Sequence, residues 1–271
     1  MHGRNKMAKI GNYRVKKQIG EGGFGRVFQG EHTLLGTEVC LKQNRNASVE
    51  DVELLKHEAK LMWKLDEYHS IPSIKDFYEL NKETGVLVMS YIEGSTLEDL
   101  IKEKGPLHAE DASWIMERLL GALYYAHCKG VIHTDVKPEN VFIEPQNRDI
   151  KLIDWGLASF KPTSKTKPIG YSPKYAAPEL INGSPPLPET DLYGAGIVYL
   201  RALGGDIEKK SFRKDTPTEI VSFCNRLLLY EAKERPNWDK ENLIETLSSV
   251  RENVFGRRHS GTLVKVKGGD V

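Results

Sequence analysis

Apolar and polar positions alternate along Tyr13–Ile19, Val27–His32 and Thr37–Gln43, where β-branched and aromatic residues stand between glycines. That period of two predicts three strands, with Gly36 in the hairpin between the second and third. The period then changes. Leu54, Leu55, Glu58, Leu61, Met62 and Leu65 recur at spacings of three and four, so they line one face of a helix over 49–65. Ser48, with Asp51 three residues later, supplies an approximate capping signal. Two further strands are expected near Ser73–Glu79 and Gly85–Met89. After Gly94 helical periods dominate. A short helix is expected over 96–104 and a long one over 108–129, with Ala112, Ile115, Met116, Leu119, Leu123 and Ala126 on one face and Gly130 as its stop. Val141–Ile143 and Ile150–Ile153 form a small hairpin; helices follow at Glu189–Leu203 and near 217–230 and 239–252. The class is α+β: a small antiparallel β lobe with one helix, a connector near 90–95, and a larger, mainly helical lobe.

Composition narrows the classes. The chain has 271 residues, a formal net charge of +1, 28% charged residues and 39% hydrophobic ones, the balance of a folded domain. No repeat of 20–50 residues is visible. Near-neutral charge speaks against nucleic acid as a partner of the whole body. Residues 1–18 nevertheless hold Arg4, Lys6, Lys9, Arg14, Lys16 and Lys17 and no acidic residue. No apolar run approaches the ~20 residues that span a bilayer, and the N-terminus has no apolar signal core. The expectation is a cytoplasmic protein without a membrane span. Cys40, Cys128 and Cys224 are odd in number and far apart, so three reduced, partly buried thiols are expected rather than a disulfide or metal framework. Nothing in the sequence speaks to oligomeric state.

Three groups of residues carry candidate chemistry. Gly20-Glu-Gly22-Gly-Phe-Gly25-Arg-Val27 is a Gly-x-Gly-x-x-Gly-x-Val run between strands. Glycine lets backbone amides approach phosphate oxygens closely. A plain glycine hairpin fits the run too. A dinucleotide loop would need a helix directly after the third glycine, where Val27–Gly30 reads as strand. Lys42 ends an apolar strand, and Glu58 sits on the apolar helix face, where a carboxylate needs a partner. Lys42 is one candidate; Lys56 and Lys60 are local alternatives. The strongest signal is His133-Thr-Asp135-Val-Lys137-Pro-Glu-Asn140, followed fourteen residues later by Asp154-Trp155-Gly156. Such a loop can be a turn of solvated charges. It also suits phosphoryl transfer: Asp135 can accept a hydroxyl proton, Asn140 and Asp154 are hard oxygen ligands for Mg²⁺, and Lys137 can neutralise charge on the moving group.

With these motifs in this order, and with Val39-Cys-Leu-Lys42, Ala177-Pro178-Glu179, Asp191 and Arg235 also matching, the sequence resembles the eukaryotic-like (Hanks-type) serine/threonine protein kinase family from about Tyr13 to about Val250. The resemblance implies a bilobal protein-kinase-like fold. A basic arm would occupy 1–12 and a kinase domain 13–250, with N-lobe 13–89, hinge 90–94 and C-lobe 95–250; 251–271 would be a flexible tail. It implies ATP and Mg²⁺ as cofactors and a protein carrying a Ser/Thr hydroxyl as acceptor. By resemblance Gly20, Gly22 and Gly25 cover the ATP phosphates, Val27 and Cys40 flank adenine, and Phe142 floors its pocket. Met89 guards the back of that pocket, and Ser90, Tyr91 and Ile92 form the hinge. Lys42 contacts phosphate and is held by Glu58. Asp135 is the base, while Asn140 and Asp154 hold the metal. Ser172 meets Asp135 and Lys137, Glu179 pairs with Arg235, and Asp191 anchors the catalytic loop; His133, Trp155 and Gly156 are structural.

The chain departs from the family in four places. Thr134 stands where an arginine is usual, which removes the counter-ion for an activation-segment phosphate. The expectation is activity that does not depend on phosphorylation there. Trp155 replaces a phenylalanine, and its N–H can be bonded or its ring can simply fill core. Tyr171 replaces a glycine. Only 44 residues separate Asp191 from Arg235, so a helix that often docks substrates must be small or absent. Residues 157–174 hold Lys161, Lys165, Lys167 and Lys174 and no acidic residue, read either as a solvated loop or as a preference for acidic substrates. Ser260 and Thr262 are candidate self-phosphorylation sites. A nucleotide-binding pseudokinase scaffold and a small-molecule kinase are the alternative readings; the first is opposed by the presence of every ionisable group, the second by Lys137 and the Ala177-Pro-Glu179 segment.

Overall fold

A computed structural model describes residues 9–23, 25–147 and 149–258. The chain separates into two compact units, one formed by 1–67 with 71–93 and the other by 68–70 with 94–271. The basic stretch before Lys9, and Ser260 and Thr262 in the expected tail, lie outside the described residues.

The first unit is one antiparallel sheet and one helix. Its elements are β1 (Lys9–Ile10), β2 (Tyr13–Gly22), β3 (Gly25–His32), β4 (Glu38–Gln43), α1 (Val49–Leu65), β5 (Ile74–Asn81) and β6 (Thr84–Ser90). The sheet order is β1-β2-β3-β4-β6-β5. β2 runs past Ile19 to Gly22, so the glycine run is itself the tip of a hairpin, with Gly20 opposite Val27 and Gly22 opposite Gly25. Strand alternation sorts the side chains. Val39, Leu41, Val86 and Val88 join Tyr13 in a buried cluster on one face. Cys40 and Lys42 therefore point to the other. Helix α1 presents buried Val52, Leu55, Glu58, Ala59, Leu61, Met62 and Leu65. Each large apolar side chain fully buried there contributes about 1.5–3 kcal/mol. Ser48 Oγ caps α1 by accepting from the Asp51 N–H at 3.1 Å, but the Asp51 carboxylate accepts from Asn46 rather than closing a capping box on Ser48.

The second unit is mainly helical. It holds β7 (Ser95–Thr96), α2 (Leu97–Lys104), α3 (Ala109–Cys128), β8 (Val131–Ile132), β9 (Val141–Glu144), β10 (Asp149–Leu152), β11 (Ser159–Phe160), α4 (Pro178–Ile181), α5 (Pro188–Ala202), α6 (Thr218–Leu227) and α7 (Leu243–Phe255). β9 and β10 form the expected hairpin, Val141 opposite Leu152. The strands of two residues and the single turn α4 are too short to leave a periodic signal. α7 continues past Val250 to Phe255, inside the stretch expected to be tail. Residues 203–217 contain no helix, in line with the short Asp191–Arg235 spacing. α5 is buried on nearly all sides and packs against α3 and α6. Gly194 permits this: a Cβ there would lie 2.8 Å from Val136 Cβ and from its carbonyl oxygen, so α5 touches the loop that carries Asp135. Among the described residues no helix is long and apolar enough to cross a membrane.

Candidate active site

In the first unit the ambiguity over Glu58 resolves. Lys42 Nζ donates to Glu58 Oε1 at 2.8 Å and to Oε2 at 2.7 Å, with Lys42 7% and Glu58 2% exposed. Lys56 pairs with Glu53 and Glu79 instead. Two formal charges buried together are tolerated because each satisfies the other. Val27 lies opposite Lys42 in the ladder, and Cys40 opposite Met89. Burial pushes the Cys40 thiol up to about 12. Cys224 is fully buried, whereas Cys128 is exposed, against the expectation of three partly buried thiols. Ser90 ends β6, its N–H donating to Ser73 O at 2.8 Å and its Oγ accepting from the Ser73 N–H at 3.1 Å. Tyr91 and Ile92 follow outside any strand or helix, half-buried.

In the second unit the loop after β8 is pinned from below. The carboxylate of Asp191, 1% exposed near the start of α5, accepts from the backbone N–H of His133 and of Thr134, each at 2.7 Å. It also contacts His127 Nε2 at 2.8 Å. Trp238 Nε1 donates to His127 Nδ1 at 2.8 Å. Indole nitrogen only donates, so Nδ1 must accept and the imidazole proton sits on Nε2, facing Asp191. Thr134 adopts φ 68°, an uncommon conformation for a β-branched residue. Such strain costs of order 1–3 kcal/mol. It is offset locally, because Thr134 Oγ1 also donates to Leu157 O at 2.7 Å. The departure from arginine therefore leaves no gap: the hydroxyl ties the loop directly to the segment after Gly156.

Above this floor the polar groups converge. Lys137 Nζ donates to Asp135 Oδ2 at 2.6 Å and to Ser172 Oγ at 2.8 Å. Asn140 Nδ2 donates to Asp135 O at 2.9 Å and to Asp135 Oδ2 at 3.2 Å. The amide oxygen of Asn140 accepts no hydrogen bond among the described residues. Asn140 O accepts from the Ile153 N–H at 2.9 Å, which places Asp154 one residue beyond that bond. Asp154 has φ 63° and is half-buried. An amide oxygen and a carboxylate are the hard donors that Mg²⁺ takes, so the pair fits such an ion. Among the described residues no group of three or more His, Cys, Asp or Glu side chains could hold a metal unaided. Trp155 is fully buried, its ring edge-on to His133 at 4.5 Å, and its Nε1 donates to Leu152 O at 3.0 Å. It both fills core and spends its N–H. Gly156 beside it is buried, and Phe142 lies half-buried on β9 opposite Lys151.

Glu179 and Arg235 meet as a two-pronged pair, at 2.7 and 2.9 Å. Arg235 also donates to Leu229 O, Glu189 O and Tyr230 O and stacks over Tyr193 at 4.8 Å. Burial acts to raise the Glu179 carboxyl, but Arg235, its own backbone N–H and the Thr190 hydroxyl outweigh it and hold it below the usual value of 4.5. Sequence reasoning missed three links: His127, Trp238, and the Tyr175 hydroxyl that donates to Glu139 Oε1 at 2.9 Å. His127 and Trp238 are 111 positions apart, so no local spacing advertises them.

The protein kinase domain family model matches residues 13–249. Over 205 residues the chain is 34% identical to the serine/threonine-protein kinase PrkC of Bacillus subtilis, covering 73% of this chain and 31% of that protein. It is 32% identical over 206 residues to the serine/threonine-protein kinase pkn3 of Myxococcus xanthus (71% and 38%). Over 221 residues it is 33% identical to the serine/threonine-protein kinase PknH of Mycobacterium tuberculosis (79% and 34%). The chain belongs to the protein kinase domain family, and the recognition of the Hanks serine/threonine type from sequence is borne out. It spans about a third of the length of these curated relatives.

Proposed function

We propose that the chain is an ATP- and Mg²⁺-dependent serine/threonine protein kinase, transferring the γ-phosphoryl group to a hydroxyl of a protein. The observation that carries this reading is the Asp135–Lys137–Ser172 cluster, with a serine Oγ 2.8 Å from Lys137 Nζ and that ammonium 2.6 Å from Asp135 Oδ2. A short aliphatic hydroxyl already sits at the mouth of the base. Asp135 takes the acceptor proton, a contribution of about 10²–10⁴-fold. Lys137 orients the hydroxyl and offsets charge on the transferred group. Asn140 and Asp154 hold Mg²⁺, which neutralises phosphate charge when bound. Lys42, held by Glu58, engages the α- and β-phosphates. Gly20, Gly22 and Gly25 close over them. Val27, Cys40 and Met89 are the first unit's adenine-contacting residues and Phe142 the second's, and the backbone of Ser90, Tyr91 and Ile92 reads the base. His133, Trp155, Gly156, Glu179, Asp191 and Arg235 support these groups.

Activity does not wait on activation-segment phosphorylation in this reading, because the Thr134–Leu157 bond does the tethering that an arginine and a phosphate would do. A need for ATP, together with three unpaired cysteines, favours the cytoplasmic side of the cell. The test is incubation with γ-labelled ATP, Mg²⁺ and generic acidic and basic acceptor proteins, beside Asp135→Asn. Label on protein serine or threonine, and loss of nearly all of it in the variant while ATP binding survives, is the expected result. A variant retaining more than a tenth of the rate would refute the assignment of the base.

A further inference from the structure

We infer that the chain selects acceptor hydroxyls flanked by acidic residues, and that Lys165, Lys167 and Lys174 set this selectivity; the inference rests on the kinase reading above. Residues 157–174 carry four lysines and no carboxylate. All four are exposed, and among the described residues none is in an ion pair. Lys161 is committed elsewhere: its stem lies against Gly130, its N–H donates to Gly130 O at 2.7 Å, and its Nζ sits 5.4 Å over the Phe160 ring. Of the other three, Lys165 and Lys167 precede Ser172, the residue that marks the acceptor position, and Lys174 follows it by two positions, its exposed Nζ 5.3 Å over the Tyr175 ring.

The carrier of these charges is ordered by its own bonds. The Thr163 N–H donates to Thr166 Oγ1 at 2.8 Å, and the Thr166 N–H returns to Thr163 O at 2.9 Å, so Lys165 projects from a closed turn. The Tyr175 and Ala176 N–H groups both donate to Ser172 O at 3.0 Å, which fixes the chain that carries Lys174. Three carboxylates of this unit are engaged, and Arg201, with Lys102 and Lys174 behind it, holds the Glu98 carboxyl below its usual value. Asp135 is held by Lys137. Glu98 takes Arg201 at 3.0 and 3.1 Å and Lys102 at 3.7 Å. Glu139 accepts from the Tyr175 hydroxyl through one oxygen, and the other is buried. A basic acceptor segment would meet only like charge, whereas an acidic one would gain three partners at once. Nucleic acid would also be attracted to lysines, but the cations here lie on the segment of Ser172, which Lys137 ties to the hydroxyl-accepting Asp135, and a phosphodiester has no hydroxyl to offer it.

The experiment compares kcat/KM of the 271-residue chain on three peptides with one central serine, flanked by Glu, by Ala or by Lys. One exposed ion pair changes an equilibrium by about 1.4- to 5-fold, so three together give about tenfold in favour of the Glu peptide over the Ala peptide at low salt. That ratio should shrink as ionic strength rises. Lys165→Gln/Lys167→Gln/Lys174→Gln should bring the ratio near one while leaving turnover of the Ala peptide unchanged. Equal rates on all peptides, or a preference for Lys, would overturn the selectivity and leave the kinase reading intact. Absence of transfer to every peptide and of self-phosphorylation would sink both. A short oligonucleotide that displaces the Glu peptide at a tenth of the peptide's concentration would assign the lysines to nucleic acid and overturn the proposal.

Discussion

Lys42→Met should destabilise the protein far more than the loss of a surface lysine, because it strands Glu58, only 2% exposed, as a buried charge without its partner. Breaking one side of a buried pair costs about 3–5 kcal/mol. Glu58→Leu removes the carboxylate to which Lys42 Nζ donates twice. The double variant Lys42→Met/Glu58→Leu removes both charges of the pair together and replaces them by apolar groups of similar size, so its cost should be within about 1 kcal/mol of the native chain. The two single losses sum to about 6 kcal/mol at the low end. The cycle therefore contains a coupling of several kcal/mol. Urea denaturation followed by far-UV circular dichroism reads this out. With m about 3 kcal/mol/M, each single variant shifts the midpoint down by about 1–2 M, while the double shifts it by less than about 0.5 M. Phosphoryl transfer should be lost in all three, which separates the folding role of the pair from its role at the phosphates. A double variant as unstable as the two singles combined would show that the charges do not compensate each other and would refute the reasoning.

Replacing Thr163, Ser164 and Thr166 together by Ala should leave transfer within a few-fold of native, measured on a peptide acceptor; loss of activity in a folded protein would restore a phosphorylation switch. Glu179 titrates below its usual value of 4.5 in the folded chain. A lowered carboxylate stabilises the fold above its unfolded value and loses that contribution as pH falls through the folded one. Glu179→Gln should accordingly be less stable than native at pH 7, with the two melting temperatures converging as the pH drops below about 4.5; a gap that does not narrow as the pH falls would contradict it. Trp238→Phe removes the donor to His127 Nδ1 while keeping a ring, so kcat should fall several-fold with KM for ATP unchanged, and nitrogen NMR should show His127 losing its single tautomer. An unaltered His127 spectrum would mean that Trp238 holds nothing in place.

Much of this was readable in the chain because its determinants are local. The apolar period of α1 fixed its limits at 49 and 65, and Gly36 and Gly130 both adopt the positive φ of the turn and stop expected of them. The Asp135–Asn140 cluster is local too, its ends five positions apart, so its chemistry was visible as a spacing. The Lys42–Glu58 pair needed knowledge of which face β4 turns toward α1, and sequence left three lysines competing for one carboxylate. Thr134 read as a missing charge; only the folded chain shows its hydroxyl reaching Leu157, 23 positions on. The short strands and α4 escaped because two to four residues carry no period, and their conformation is imposed by what they pair with.

Three residues just past α1 have a consequence for anyone dividing the protein. Tyr68, His69 and Ser70 group with the second unit although the chain on either side belongs to the first. The Tyr68 ring stacks on Tyr125 at 4.8 Å, the Ser70 hydroxyl donates to Asp149 Oδ1 at 3.1 Å, and Ser70 O takes the Leu152 N–H at 2.8 Å. A recombinant fragment cut after Glu93 would carry this stretch bare, with an aromatic ring and unmet carbonyls turned to water. The complementary fragment would present the groove that the stretch had filled. Each half should therefore express poorly on its own, and co-expression of the two should raise the yield of both.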